Sequence, residues 1–267
     1  MNRFQRRCYA LVKKHVEAGG RVLEVSCGEG EILVALKADG YGVVATNYTA
    51  YELGDAAIER HDGVDLLAGL PFEDGVFDAV VLSDVIEHLS DHPRALSEIS
   101  RVLRPGGVAV ILTPNTNRIS SRVHYLFSGF QKVKRSFPGF DVPAEEAFAF
   151  HNYPPHLPVF LYQAHSYGLG LREFDAEWYK PKSLLMGVPL YPVIWLTTWY
   201  MTRRRERHLR GRDEGVLLLR AMTGFKGLFG ETAALVFERA ADGGDERRET
   251  AMPAWYHGRG EVGVRSS

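Results

Sequence analysis

Residues 21–30, RVLEVSCGEG, constrain the fold of this chain more than any other stretch. Aliphatic and β-branched residues run into a glycine turn, and 31–37 continue with apolar residues at helical spacing. That pattern predicts a buried strand, a tight turn and a helix. In open α/β sheets this first turn, at the carboxyl end of the strands, is where a nucleotide-like ligand sits.

The rest of the chain repeats the alternation. An amphipathic helix that ends at Gly19-Gly20 precedes the first strand, and a short apolar strand is predicted at 43–46. A helix over about 51–60, a weak strand at 64–67 and a strong strand at 77–82 follow. A helix over 93–103, capped by Asp91 and stopped by Arg104-Pro105-Gly106-Gly107, leads to a fifth strand at 108–112. Strands alternating with helices at this interval predict a doubly wound parallel α/β sheet. Residues 115–150 have no clean period and read as a lid; a helix at 156–167 and strands at 171–175 and 232–239 bring the sheet to seven strands. The domain reading is a core at 1–175 with its lid at 115–150, an apolar and basic insertion at 176–230, a final core strand at 231–240, and a disordered tail at 241–267.

Composition narrows the class. The formal net charge of −1 and the lack of a basic arm argue against general nucleic-acid binding. Cys8 and Cys27 are the two cysteines, too few for a disulfide framework, and the N-terminal stretch has no apolar core suited to a signal peptide. A cytoplasmic protein is therefore expected.

Four stretches carry a resemblance: VLEVSCGEG (22–30), DLLAGLPFEDGVFDAVVLSDVIEHL (65–89), ALSEISRVLRPGG (95–107) and VAVILTPN (108–115). In this order and at these spacings they resemble the class I S-adenosylmethionine-dependent methyltransferases, particularly the branch of ubiquinone-biosynthesis O-methyltransferases and MetW-like proteins. The GxGxxG of dinucleotide enzymes is absent, which agrees with a ligand that carries no pyrophosphate. The resemblance implies a Rossmann-like fold, S-adenosylmethionine as cofactor, S-adenosylhomocysteine as product and an oxygen as the methylated atom. It implies cofactor binding by Glu24, Ser26, Cys27, Gly28, Gly30, Asn47, Tyr48, Asp65, Leu66 and Ser83. Glu24 would meet the ligand's amino group, and Asp65 with Leu66 would meet adenine; a turn-capping aspartate is the structural alternative at Asp65.

Two positions depart from that family. Ser26 stands where a glycine is usual, and Asn47 replaces the acid that commonly binds the ribose hydroxyls, so weaker cofactor binding is expected. These departures keep open a second reading, a methyltransferase-fold module without turnover that serves as a membrane-associated partner.

The resemblance puts Glu87 and His88 of the IEHL motif beside the acceptor, and a weaker echo puts His151 at the exit of the lid. They are the implied catalytic residues, against structural roles as helix braces and as a buried histidine. His88 and His92 stand at i and i+4, but Pro93 starts a helix between them, so no metal is expected. Lid residues Arg118, Arg122, Lys132, Lys134 and Arg135 would suit a phosphate-bearing acceptor, and His124 reads as an ordinary lid residue.

Residues 184–202 carry no charge, include Trp195 and Trp199, and run directly into Arg203, Arg204 and Arg205. Pro189 and Pro192 argue against a true membrane span. Two readings stay open: peripheral contact of 184–212 with the inner face of the membrane, or a helix covering the sheet or another subunit. The expected partners are a small-molecule or lipid-linked acceptor of glycan or quinone-like kind, and no nucleic acid; the lack of an NPPY-type motif disfavours base methylation.

Overall fold

The computed structural model describes residues 1–50, 52–135, 137, 141–143, 146, 150–205 and 213–241. Helix α1, Arg3–His15, starts on a reciprocal cap between Asn2 and Gln5 and buries the stripe Cys8, Leu11 and Val12. Strand β1, Arg21–Val25, follows, and its side chains alternate between the two faces of the sheet. Val22 joins α1 and α2 (Glu31–Ala38) on one face, while Leu23 and Val25 join the core beneath the opposite helices.

Strands β2 (Gly42–Asn47), β3 (Glu59–Asp62), β4 (Phe77–Ser83), β5 (Leu103–Pro114), β6 (Leu169–Tyr179) and β7 (Gly230–Arg239) complete a seven-stranded sheet of order β3-β2-β1-β4-β5-β7-β6. The first five strands are parallel; β7 runs antiparallel to both β5 and β6, so the sheet is mixed rather than all parallel. Helices α3 (His92–Val102) and α5 (Leu157–Ser166) cover the face that holds Leu23, Val80 and Ile111. The strand order reverses between β1 and β4, which places a ligand crevice at their carboxyl ends.

The third strand is five residues earlier than the apolar pattern suggests. β3 is the polar segment Glu59–Asp62, paired with Val44 to Asn47, whereas 64–67 form a turn and Leu66 drops into the core. An edge strand with one covered face needs few apolar residues, so periodicity could not find it. The helix expected at 51–60 does not form over the described part, 52–60. Gly54 donates its N–H to the Glu29 carbonyl, and Asp55 caps a turn at Ala57, which directs the chain into a loop.

After β5, α4 (Ile119–Ser128) begins the segment read as a lid, much of which lies outside the described residues. Between β6 and β7 stand α6 (Pro181–Tyr200), a π-helical turn at Met201–Arg205, α7 (Asp213–Thr223) and α8 (Phe225–Phe229). Helix α6 runs through Pro189 and Pro192 without a break. The carbonyls that these prolines leave without a donor belong to Leu185 and Val188, both 77% exposed, so water can satisfy them. One face of α6, with Met186, Leu190 and Ile194, packs on Ile119, Val123, Leu228 and Phe229. The opposite face leaves Leu185, Val188, Val193 and Leu196 exposed, so α6 is not a helix buried against the sheet. The tail expected to be disordered lies, apart from Ala241, outside the described residues.

Gly187 lets α6 lie against the Phe229 ring, because a Cβ there would overlap it. Gly187→Ala should therefore cost about 1–3 kcal/mol by forced repacking, read as a lower denaturation midpoint. An unchanged midpoint would mean that α6 does not pack on Phe229.

Candidate active site

The turn after β1 is built from three left-handed residues. Ser26 has φ +53°, Gly28 +58° and Gly30 +71°, and Gly30 then starts α2. Ser26 therefore carries the side chain that the sequence departure implied would be strained. A Cβ on Gly28 would meet no atom within 4 Å, so this backbone faces open space at the carboxyl end of the sheet. Cys27 is buried behind the turn, and burial pushes its thiol up to about 12.

Asn47 ends β2 and holds that turn. Its Oδ1 accepts from the Gly28 N–H at 2.9 Å, and its Nδ2 donates to the Gly28 carbonyl at 3.3 Å. At 2% exposure its side chain braces the glycine loop instead of presenting itself to ribose hydroxyls. An amide suits this place because it both donates and accepts, which a carboxylate does not. Tyr48, next along, is 63% exposed at the tip of the strand. Asp65 accepts from the Leu67 N–H at 2.8 Å, the turn-capping role, and Leu66 is 4% exposed in the core.

Glu24 points toward α1, on the face opposite Leu23. It is 3% exposed, its Oε2 has no hydrogen-bond partner, and burial raises its carboxyl to about 8. Ser83, at the end of β4 on the same face, lies beside the buried Cys8 thiol, which burial pushes up. Helix α1 thus closes the floor under the cofactor end of the crevice, a contribution that its amphipathic pattern did not announce. An unpartnered buried carboxyl beside an open glycine cradle fits a ligand that brings an ammonium group, as S-adenosylmethionine does.

Beyond the end of β4 lies a cleft of about 520 Å³ lined by Asp84, Arg118, Lys132, Lys134, His151 and Lys180, with Phe4 from α1 and Glu231 from β7. Asp84 follows β4 with φ +54°, an uncommon conformation for a non-glycine residue. The structure brings Glu87, His88 and His151 together. Glu87 is fully buried, accepts from the Thr113 hydroxyl at 3.1 Å through Oε2, and is raised to about 8 by burial. His151 Nδ1 lies 3.8 Å from Glu87 Oε1, and both atoms lack a hydrogen-bond partner. Burial, with the charges of His88 and Lys134, lowers His151 to about 4. His88 stacks edge-on to His151 at 4.8 Å and bonds the Phe150 carbonyl through Nδ1. His92 is elsewhere, bonded to the Ile86 carbonyl and packed on Phe160, so the i, i+4 pair is not a unit.

Of the basic lid residues, Arg118, Lys132 and Lys134 line the cleft. Arg118 pairs with Glu231 and donates to the Lys132 carbonyl, whereas Arg122 is tied to the Asn117 and Met222 carbonyls and is lowered to about 10 by burial. Arg135 does not line the cleft; its carbonyl accepts from the His151 N–H, and His124 is exposed as expected. Lys180 and Thr113 were not singled out by the sequence. Lys180 comes from the end of β6 and Thr113 from inside β5, places with no local motif to mark them.

Residues 2–177 match the family model described as a methyltransferase domain. A demethylmenaquinone methyltransferase of Mycobacterium sp. is 35% identical over 146 residues, 51% of this chain and 60% of that protein. A ubiquinone/menaquinone biosynthesis C-methyltransferase of Geobacter sp. is 32% identical over 136 residues, 45% of this chain and 58% of its own. The match thus spans less than two thirds of these relatives. An S-adenosylmethionine-dependent methyltransferase from Mesorhizobium loti shares the fold, with a TM-score of 0.53 at 13% identity over 89% of this chain and 99% of that one. The chain therefore belongs to the methyltransferase-domain family, and its sheet is that of the class I S-adenosylmethionine-dependent enzymes.

The buried Glu24 has a pH signature. Its carboxyl rises from the ordinary 4.5 to about 8 on folding, so the folded chain holds a proton that the unfolded chain releases. The stability this proton contributes is fully present below the unfolded value and is lost as pH rises through the folded one. The denaturation midpoint should fall between about pH 5 and 8, and Glu24→Gln should flatten that slope. An equal slope in the variant would contradict the assignment.

Proposed function

We propose that this chain is an S-adenosylmethionine-dependent methyltransferase that acts on a hydroxyl oxygen of a small-molecule or lipid-linked acceptor, of glycan or quinone-like kind. One observation carries the reading: at the carboxyl ends of the adjacent strands β1 and β4 stand an open glycine cradle beside an unpartnered carboxyl and a cleft holding His151, whose Nδ1 has no hydrogen-bond partner. S-adenosylmethionine, when bound, supplies a methyl group on a sulfonium that is already an excellent leaving group.

The chain's own residues then do three things. Glu24 holds the ligand's ammonium, ionising as it does so, and Gly28 and Gly30 let the backbone pass close to the methionine portion. Tyr48, exposed beyond β2, flanks the nucleoside end. His151 is unprotonated throughout the neutral range, so its Nδ1 is available to take the acceptor's hydroxyl proton, while Glu87 beside it stays protonated. Lys132 and Lys134 give the cleft a positive wall that favours an ionised acceptor.

The relatives named as C-methyltransferases support a second reading, methylation of a ring carbon, which begins with loss of the same hydroxyl proton. Product NMR with a quinol acceptor separates them, through an O-methyl signal or a ring methyl.

Calorimetric titration with S-adenosylhomocysteine should show binding at one site per chain, abolished by Gly28→Arg in a protein that remains folded. No binding by the wild type would instead favour the non-catalytic partner module.

The exposed face of α6 supports a lipid-linked acceptor. The segment Ser183–Arg204 is long and apolar enough to cross a membrane, Trp195 stacks on Trp199, and the segment ends on the exposed Arg203 and Arg204. Leu126 and Phe127 of α4, the helix that packs on α6, are 76% and 84% exposed. This combination suits the headgroup region of an anionic lipid surface. The chain should sediment with anionic vesicles, more weakly at high salt, and Leu185→Glu with Val188→Glu should keep it in solution; equal sedimentation of both would assign the face a different role.

A further inference from the structure

We propose that the acceptor carries a phosphate or diphosphate ester, and that Arg118, Lys132, Lys134 and Lys180 bind it. The cleft beyond β4 holds about 520 Å³, within the range of small-molecule sites, and these four cations line it against two carboxyls, Asp84 and Glu231. Burial raises the Asp84 carboxyl, against the charges of His88 and Lys134. Glu231 is already engaged, since its Oε2 accepts from Arg118 at 2.5 Å and from Lys180 at 2.7 Å. Among the described residues, Lys132 and Lys134 make no ion pair. Even with both carboxyls ionised, the cleft keeps an excess of two positive charges. A hydroxyl that loses its proton brings a single negative charge, and a quinol or a plain glycan brings no other. A phosphate monoester carries about −1.5 to −2 at pH 7, which matches the excess.

The cations are held in place by the fold. Arg118 is 8% exposed; its Nη1 meets Glu231 and its Nη2 donates to the Lys132 carbonyl at 2.7 Å, while its buried Nε has no partner. At the other end of the same turn, the His151 N–H donates to the Arg135 carbonyl at 3.1 Å. Residues 132–135 are therefore pinned on both sides, and the turn presents Lys132 and Lys134 to the cleft from a backbone that is already ordered. Pre-ordering lowers the entropy lost when a ligand binds. A guanidinium fork beside mobile ammonium groups is a donor set suited to phosphate oxygens.

The inference rests on the reading of this cleft as the acceptor's and deepens it, because the phosphate would lie on the basic wall of the cleft that also holds His151. The same chemistry can come from a soluble phosphate ester or from the phosphate of a lipid-linked acceptor.

The test titrates inorganic diphosphate into the full chain by calorimetry at low ionic strength, where screening is weak. One equivalent per chain is expected, with affinity at least about tenfold weaker in the double variant Lys132→Ala with Lys134→Ala and in Lys180→Ala. All three lysines are exposed; circular dichroism establishes folding, and should one variant fail to fold, the other decides. Arg104→Ala, at the opposite end of β5, should bind as the wild type does. No binding by the wild type at millimolar diphosphate, equal affinity in the folded lysine variants, or an equal loss in Arg104→Ala would overturn the inference. Geranyl diphosphate that binds at least about tenfold tighter than inorganic diphosphate assigns the phosphate to a lipid-linked acceptor, and equal binding assigns it to a soluble ester. S-adenosylhomocysteine is titrated into the same protein. Its binding without diphosphate binding removes only the phosphate site, whereas diphosphate binding without it preserves the site and removes the methyltransferase reading.

Discussion

Two carboxyls, Glu24 in β1 and Glu87 after β4, are buried without a countercharge on either side of the point where the strand order reverses. Removing an ionised group from water is too costly to sustain without a partner, so both are driven toward their neutral forms. The fold tolerates this because β1 and β4 are central strands whose apolar packing supplies the stability. Leu23, Val80 and Leu82 are fully buried between helices. The two acids stand at neighbouring strand ends, Glu24 beside the glycine turn and Glu87 beside His151.

The elements around that pair serve it. Helix α1 closes the floor beneath Glu24 through Cys8 and Ser83, while Asn47 fixes the glycine turn by gripping Gly28 at both its N–H and its carbonyl. On the acceptor side, Thr113 and the Phe150 carbonyl orient Glu87 and His88, and His151 faces them from the returning chain. Lys180, at the start of the insertion between β6 and β7, and Glu231 of β7 join the cleft rim, and the insertion carries the exposed face of α6.

The strands that build the crevice were legible because they are central and doubly covered, so β1, β4 and β5 read as near-continuous apolar runs. The polar edge strand β3 was not, since its pairing with β2 comes from tertiary position rather than from pattern. Glu24, the two glycines and the Glu87, His88 and His151 set were reachable through motif and resemblance. The brace formed by Asn47 was not, because a substitution in a motif does not reveal which way its side chain turns. Asp65 shows the same limit: a local turn claims its carboxylate before any ligand can. Sequence spacing pairs His88 with His92, whereas the chain that returns some sixty residues later brings His151 to His88.

The central claim is that Glu24 is kept protonated until a ligand ammonium arrives. Carbon-13 NMR of glutamate side-chain carboxyls, with Glu24 assigned by Glu24→Gln, measures this directly in the free protein and at saturating S-adenosylhomocysteine. The account predicts a midpoint of about 8 in the free protein that falls when the ligand binds. A free-protein midpoint near the ordinary 4.5, or one that ligand binding leaves unchanged, would contradict it.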